Sequence, residues 1–314
     1  MDIEQELQKL SNRIEFLREK IKKGEKHRIP ELVELRRKFK KLARQKMSSL
    51  SAWEKVQLAR HPKRPHTIDY IQNIFTDFIE LHGDRKYGDD KAIIAGFAYF
   101  EGEPVAVIGH EKGRDTKEKI ERNFGMPHPE GYRKAIRVMK LAEKFRRPIL
   151  TFIDTPGAFP GVGAEERGQS QAIAESLMIM GELKVPIIAT VIGEGGSGGA
   201  LALGVADRVL MLENAVYSVI SPEGCAAILF KSQENAPQAA ESLKITAEHL
   251  KKLKVIDEIV KEPLGGAHLQ PKKMYRLLKR TLRTNLRCLK RISTSKLVKK
   301  RQEKFYSIGI FQEA

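Results

Sequence analysis

The chain has 314 residues, of which 41% are hydrophobic and 31% charged, and a formal net charge of +17. That length suits one large domain or two smaller ones with a real core; no apolar run nears the ~18 residues of a membrane span, and the start, Met1-Asp2-Ile3-Glu4-Gln5-Glu6, lacks the pattern of a secretory signal. Cys225 and Cys288 alone exclude a disulfide framework or a four-cysteine zinc site in this chain and fit a reducing cytoplasm, while the positive charge asks for an anionic partner: a nucleotide-like ligand, an acidic subunit or nucleic acid.

Ile3, Leu7, Leu10, Ile14, Leu17 and Ile21 repeat at steps of four and three, a coiled-coil-like stripe over about three heptads. Gly24 ends it. Pro30 suits the first turn of a second helix, which carries Leu32, Leu35, Phe39 and Leu42. Residues 1–62 are therefore expected to form a helical hairpin, its stripe a packing face. Pro62 and Pro65 mark a boundary, and a helix follows over 70–75. Residues 92–100 and 104–109 read as strands joined by a tight turn at Glu101-Gly102-Glu103. Then come a helix over 132–145, a strand over 149–153, a helix over about 165–183 and a strand over 185–192. Two short strands follow, over 207–212 and 215–220. Strands alternating with helices define an α/β architecture over 63–268, and the extra strands make it a ββα repeat.

The remainder, 269–314, is a basic tail. Between Pro271 and Gln302 lie thirteen Lys or Arg and no Asp or Glu, and Leu278, Leu282, Leu286 and Leu289 share one helical face. This is a basic amphipathic helix that packs on the domain or on a partner. Its clustered charge would also serve a nucleic-acid contact through counterion release. No aromatic ladder accompanies it for stacking single strands.

The segment 191–204, VIGEGGSGGALALG, holds five glycines within the seven residues 193–199, between a strand and a short helix. Three chemistries fit. Gly193-x-Gly195-x-x-Gly198 matches the dinucleotide fingerprint, with Glu213 as the following acid. Its helix, however, is about two turns long, and a parallel crossover needs a dozen or more residues. Gly195-Gly196-Ser197-Gly198-Gly199 matches the nucleophile elbow. Asp257 and His268 stand in the right order for a triad, but near the tail. The third reading needs no side chain: bare backbone lets a ligand approach, and amides at a helix start hold an oxyanion, as enolate chemistry requires.

Asp154-Thr155-Pro156-Gly157-Ala158-Phe159-Pro160-Gly161 follows the strand over 149–153. Asp-x-x-Gly also occurs in GTPases, but no Gly-Lys-Ser or Gly-Lys-Thr completes a phosphate loop here. Both glycine loops follow strands, where ligands bind in open α/β sheets. Together they favour the oxyanion reading. Glu165 and Glu166 are expected in the first turn of the next helix, where acids suit its dipole.

These loops resemble the carboxyltransferase alpha subunits of bacterial-type acetyl-CoA carboxylase. The likeness runs in order through Glu80-Leu81-His82-Gly83-Asp84-Arg85, Gly109-His110-Glu111-Lys112-Gly113-Arg114-Asp115, Asn123-Phe124-Gly125-Met126-Pro127, Pro129-Glu130-Gly131-Tyr132, Ser221-Pro222-Glu223-Gly224-Cys225-Ala226 and Glu262-Pro263-Leu264-Gly265-Gly266-Ala267-His268. It covers about 70–268. Phe159 and Glu111 stand where the family often has tyrosine and glutamine. The resemblance implies a crotonase-like fold, a ββα superhelix; the hairpin and the basic tail read above flank it, and the tail is less family-like. It implies a beta subunit carrying a four-cysteine zinc site, biotin carboxylase, the biotin carboxyl carrier protein and an alpha2-beta2 assembly, in the cytoplasm. It implies transfer of carboxyl from carboxybiotin to acetyl-CoA, giving malonyl-CoA for fatty-acid synthesis, with no cofactor bound covalently to this chain and no metal in it. The amides of Gly198 and Gly199 would hold the biotin oxygen. Gly157, Ala158, Phe159, Gly161, Gly195 and Gly196 would shape the biotin side of the cleft. Lys112 and Arg114, which follow a strand, would meet an anionic ligand. His110 is expected to be structural.

Overall fold

The computed structural model describes residues 3–47 and 49–309. Helices α1 (Ile3–Lys22) and α2 (Ile29–Met47) form the hairpin. Leu7, Leu10 and Ile14 of the stripe pack against Phe39, Ala43 and Leu269 in a small core of their own. The side chain of Ile3, the first stripe position, lies outside the described ones. Helices α3 (Ala52–Ala59) and α4 (Thr67–Ile74) lead to the sheet. Ser51 caps α3 in a reciprocal box with Glu54, which satisfies donors at the helix start.

The sheet has eight strands: β1 (Thr76–Glu80), β2 (Ile93–Phe100), β3 (Glu103–His110), β4 (Ile149–Thr155), β5 (Ile187–Gly196), β6 (Arg208–Leu212), β7 (Val216–Ser218) and β8 (Glu258–Val260). β1, β2 and β3 are antiparallel neighbours. The β2–β3 hairpin closes through Glu101 (φ 53) and Gly102 (φ 85). Two positive φ angles make a turn whose twist matches that of the strands. From β3 onward the pairing is parallel, in the order β3-β4-β5-β6-β8. β4 is buried along its whole length, as a parallel strand covered on both faces must be. β5 is forked: residues 188–191 pair with β6, and residues 194–196 pair with β7. That fork gives the ββα character.

Helices α5 (Thr116–Glu121) and α6 (Pro129–Lys144) follow β3. The helix expected over 165–183 is two helices, α7 (Val162–Glu166) and α8 (Gln169–Glu182). Gly168, at φ +81, breaks the run, so Glu165 and Glu166 close α7 instead of opening a long helix. Helix α9 (Ser197–Leu201) is a single short turn. Helices α10 (Pro222–Phe230), α11 (Ala236–Ser242) and α12 (Ala247–Lys252) lie between β7 and β8. No helix among the described residues is long and apolar enough to cross a membrane.

The basic arm is α13 (Pro271–Leu289) and α14 (Thr294–Tyr306). Leu278, Leu282, Leu286 and Leu289 enter the main core. Arg301 is 1% exposed. It donates to both Asp207 oxygens at 2.9 and 2.8 Å and to the carbonyls of Met180, Leu183 and Val185 at 2.7–2.9 Å. A buried guanidinium is tolerable only when its donors are met in this way.

Candidate active site

Strands β4 and β5 are adjacent and parallel, with Thr155 opposite Gly195 at their C-terminal ends. The two glycine loops therefore meet. A Cβ on Gly196 would overlap the Pro156 carbonyl. A Cβ on Gly199 would lie 2.6 Å from Ala158 N and Gly157 C, and 3.0 Å from Tyr132 Oη. Only bare backbone allows that approach. Gly198 differs, because a Cβ there would meet only Ile173, at 3.6 Å. One flank of the paired loops is closed and the other is open.

Gly198 and Gly199 occupy the first turn of α9, where amides have no intrahelical acceptor. Ser197 turns the chain from β5 into α9 with φ +52 and is exposed. Gly195 also pairs with Tyr217 on β7. In the other loop, the Phe159 ring stacks on His128 with centroids 4.2 Å apart. The Phe159 N–H donates to the Pro127 carbonyl at 3.0 Å. Gln169 Nε2 donates to the carbonyls of Pro127 and Phe159 at 2.9 and 3.0 Å. Thr155 Oγ1 accepts from Gly157 N at 3.0 Å and donates to Gly157 O at 2.7 Å. Gly161 caps α7. The loop is thus clamped at both ends and pressed against Gly199 in the middle.

Beneath the loops runs a chain of alternating charges. Lys112 Nζ lies 2.7 Å from both Asp154 Oδ1 and Glu194 Oε2. Asp154 Oδ1 also accepts the Glu194 N–H at 2.9 Å. Arg60 Nε donates to Glu194 Oε1 at 2.5 Å, and Arg60 also pairs with Glu223 in the first turn of α10. Burial opposes the charge on Asp154, but Lys112, His66 and the Glu194 amide outweigh it and hold the carboxyl below its ordinary range. Burial likewise opposes the Glu194 charge, and Lys112 and Arg60 overcome it. Lys112 is held above its ordinary value by the two carboxylates, against the burial of its ammonium. All three are therefore ionised near neutral pH.

The two cations expected to meet a ligand are thus engaged with protein groups. Lys112 is committed to Asp154 and Glu194. Arg114 pairs with Asp69 and donates to the Arg64 carbonyl at 3.0 Å. Sequence reasoning missed the network because its members, Arg60, Lys112, Asp154, Glu194 and Glu223, come from five separated segments. One signal was available: Asp154 ends an apolar run and Glu194 sits among glycines, and a carboxylate buried in such a place requires a cation.

His110 is fully buried at the end of β3. Burial pushes its imidazole down to about 4, although Asp154 and the nearby backbone of Gly199 and Phe152 favour a ring proton. The ring is neutral near pH 7. Tyr132 Oη, against Gly199, is buried and without a hydrogen-bond partner among the described residues.

The serine reading does not assemble. Asp257 accepts from Val209 N at 2.7 Å and pairs with Lys304, near the start of β6 and at the opposite end of the parallel strands from Ser197. His268 lies against His61, the ring centroids 4.1 Å apart and the planes tilted by 31°. The dinucleotide reading fails on α9, which has five residues. Its acid, Glu213, instead pairs with Lys261 at 2.7 Å and accepts the Glu262 N–H at 3.1 Å.

The fold is that of crotonase-like carboxyltransferases. It resembles transcarboxylase 12S, solved with methylmalonyl-coenzyme A and methylmalonic acid bound, with a TM-score of 0.57 at 21% identity over 72% of this chain and 44% of that one. It resembles a Pseudomonas malonate decarboxylase hetero-tetramer in complex with coenzyme A with a TM-score of 0.58 at 15% identity, over 77% and 96%. Residues 1–309 match the family described as acetyl co-enzyme A carboxylase carboxyltransferase-like. Over its full length the chain is 58% identical to the acetyl-coenzyme A carboxylase carboxyl transferase subunit alpha of Aquifex aeolicus (strain VF5), covering 97% of it. It is 57% identical to the subunit of the same name from Thioalkalivibrio sulfidiphilus (strain HL-EbGR7), covering 98%. The chain belongs to the family of acetyl-CoA carboxylase carboxyltransferase alpha subunits.

Proposed function

We propose that this chain provides the half of a carboxyltransferase site in which backbone amides hold a developing oxyanion. The observation that carries the reading is the pairing of the two loops, with Gly199 closed against Gly157 and Ala158 and Gly198 left open beside it. That cradle fits a flat, polar ring such as biotin: a Cβ at Gly196 or Gly199 would fill the seam, and no charged side chain is needed to hold a neutral ureido group. Carboxybiotin, delivered by its carrier protein, supplies a carboxyl already activated for transfer to acetyl-CoA, giving malonyl-CoA.

The chain's own residues position and stabilise. The amides of Gly198 and Gly199 face negative charge that grows on an oxygen during transfer. One such donor, fixed in advance, contributes roughly 2.7–4 kcal/mol to a transition state. Gly157, Ala158, Phe159 and Gly161 shape the other wall, and Gly195 and Gly196 set the seam. Lys112 fixes Asp154 and Glu194, and through the Asp154–Glu194 N–H bond it holds the ends of β4 and β5 in register. Arg114 ties the following turn to α4. No protein base is required of these groups, which agrees with a neutral His110 and a Ser197 that lacks a triad.

The site is one half of a complete one. Val162 and Leu201, beside the two loops in the chain, are exposed, as are Val219, Ile228 and Leu229 at and before α10. Apolar surface beside a site supports a partner subunit there. We assign that partner as the beta subunit, carrying the zinc, in an alpha2-beta2 assembly that works with biotin carboxylase and the biotin carboxyl carrier protein. The setting is the first step of cytoplasmic fatty-acid synthesis. The chain divides into 1–62, 63–268 and 269–314, although the last segment shares the main core. Nucleic-acid binding by that arm has only its charge behind it, because its leucine face packs inside.

The test is reconstitution. The chain mixed with a beta subunit, carboxylated carrier and acetyl-CoA should form malonyl-CoA, and the chain alone should not. A folded complex with no transfer in any such mixture would overturn the reading.

A further inference from the structure

At the far end of the sheet from the glycine loops lies a cleft of about 920 Å³, where β3, β4 and β5 begin and the turn between α13 and α14 packs across them. Its floor is apolar, built from Pro148, Pro186, Val185, Leu289 and Leu297. Its rim is cationic: Arg146, Arg147, Lys184 and Lys290 face two acids, Glu103 and Glu143. Both acids are engaged. Glu143 accepts the Lys184 backbone N–H at 2.7 Å, and Glu103 pairs with Lys290. The side chains of Arg146, Arg147 and Lys184 make no ion pair or hydrogen bond among the described residues. Arg146 also holds a left-handed backbone, φ +54, after the end of α6.

We infer that this cleft is a second ligand site, for a small phosphorylated molecule with an apolar body. Two guanidiniums and an ammonium that make no ion pair among the described residues outnumber the one lining acid without a cation partner, Glu143, and match a phosphate group, which arginine can grip through two parallel hydrogen bonds. The apolar floor matches a hydrocarbon or ring attached to that phosphate. The cleft opens at the N-terminal ends of the parallel strands, and the carboxyltransferase loops stand at their C-terminal ends. A ligand here is therefore not the transfer substrate in its reactive position, and the inference stands apart from the proposed function.

Isothermal titration calorimetry on the full chain tests it, with hexyl phosphate and inorganic phosphate as probes. Hexyl phosphate should bind at least about tenfold more tightly than inorganic phosphate, because its chain leaves water for the floor. The double variant Arg146→Ala/Arg147→Ala should weaken hexyl phosphate about tenfold or more. The double variant Arg36→Ala/Arg37→Ala, on the exposed face of α2, should leave it within about twofold, since exposed charges far from the cleft are screened. No binding, equal affinity for the two probes, or equal losses in the two double variants would each overturn the inference. All four substituted arginines are exposed, so a folding failure is not expected, and far-ultraviolet circular dichroism checks it.

Discussion

Lys112 Nζ and Asp154 Oδ1 lie 2.7 Å apart beneath the meeting point of the two glycine loops. The carboxylate oxygen in that pair also accepts the Glu194 N–H, so one ion pair ties the ends of β4 and β5 together. Removing the cation takes the ammonium from two buried carboxylates, leaving Glu194 to Arg60 and Asp154 to the Glu194 N–H. Breaking a buried pair from one side typically costs about 3–5 kcal/mol. Lys112→Met should lower the unfolding free energy by that amount in urea titrations at pH 7. A loss below about 1 kcal/mol would contradict the burial and pairing described here.

His110 gives the folded state a distinct pH dependence. Its ordinary value is 6.5, and burial lowers it to about 4 in the fold. Below 6.5 the unfolded chain takes a proton that the folded chain refuses until about pH 4. The contribution of this group is complete above 6.5 and declines as the pH falls, by about 1.4 kcal/mol per unit. Between pH 7 and pH 5, wild type should lose about 2 kcal/mol more stability than His110→Gln. Parallel curves would show that the imidazole charges freely in the fold.

The two neighbouring glycines should respond oppositely to one added methyl. At Gly199 a Cβ meets backbone atoms at 2.6 Å, which have no room to move. Overpacking of this kind costs about 1–3 kcal/mol. At Gly198 the Cβ has only Ile173 nearby, at 3.6 Å. Gly198→Ala should keep its stability within about 1 kcal/mol of wild type, with alanine the better helix former. Comparing the two thermal melts decides the matter, and equal losses would dissolve the distinction between the closed and open flanks.

Local signals located most of what surrounds the site. The apolar runs behind β2, β3, β4 and β5 and the Glu101-Gly102 turn were legible because strand period and turn chemistry are short-range. The same holds for the 154–161 loop and the glycines of 193–199. Edge strand β1 was not legible: it carries a register shift and its burial does not alternate cleanly. β8 has three residues and exists through its pairing with β6. The break at Gly168 was visible as a glycine, but nothing local set its φ positive. The ion chain needed the fold itself, since Lys112 and Glu194 are 82 positions apart. The leucine face of the basic arm suggested packing on the domain or on a partner, and its charge a nucleic-acid contact. The structure turns Arg301 inward to Asp207 instead, a tertiary choice that composition does not report.

The most direct measurement compares Gly198→Pro with Ser197→Gly in the reconstituted carboxyltransferase. Proline removes the Gly198 amide donor, whereas glycine at 197 removes the hydroxyl and relieves the left-handed φ of +52. With folding verified by thermal melts, Gly198→Pro should lower kcat for malonyl-CoA formation by roughly 10²–10³-fold. Ser197→Gly should stay within about threefold of wild type, since deleting a group outside the transition state costs little. Full activity in Gly198→Pro, or a collapse in Ser197→Gly, would contradict the amide oxyanion site.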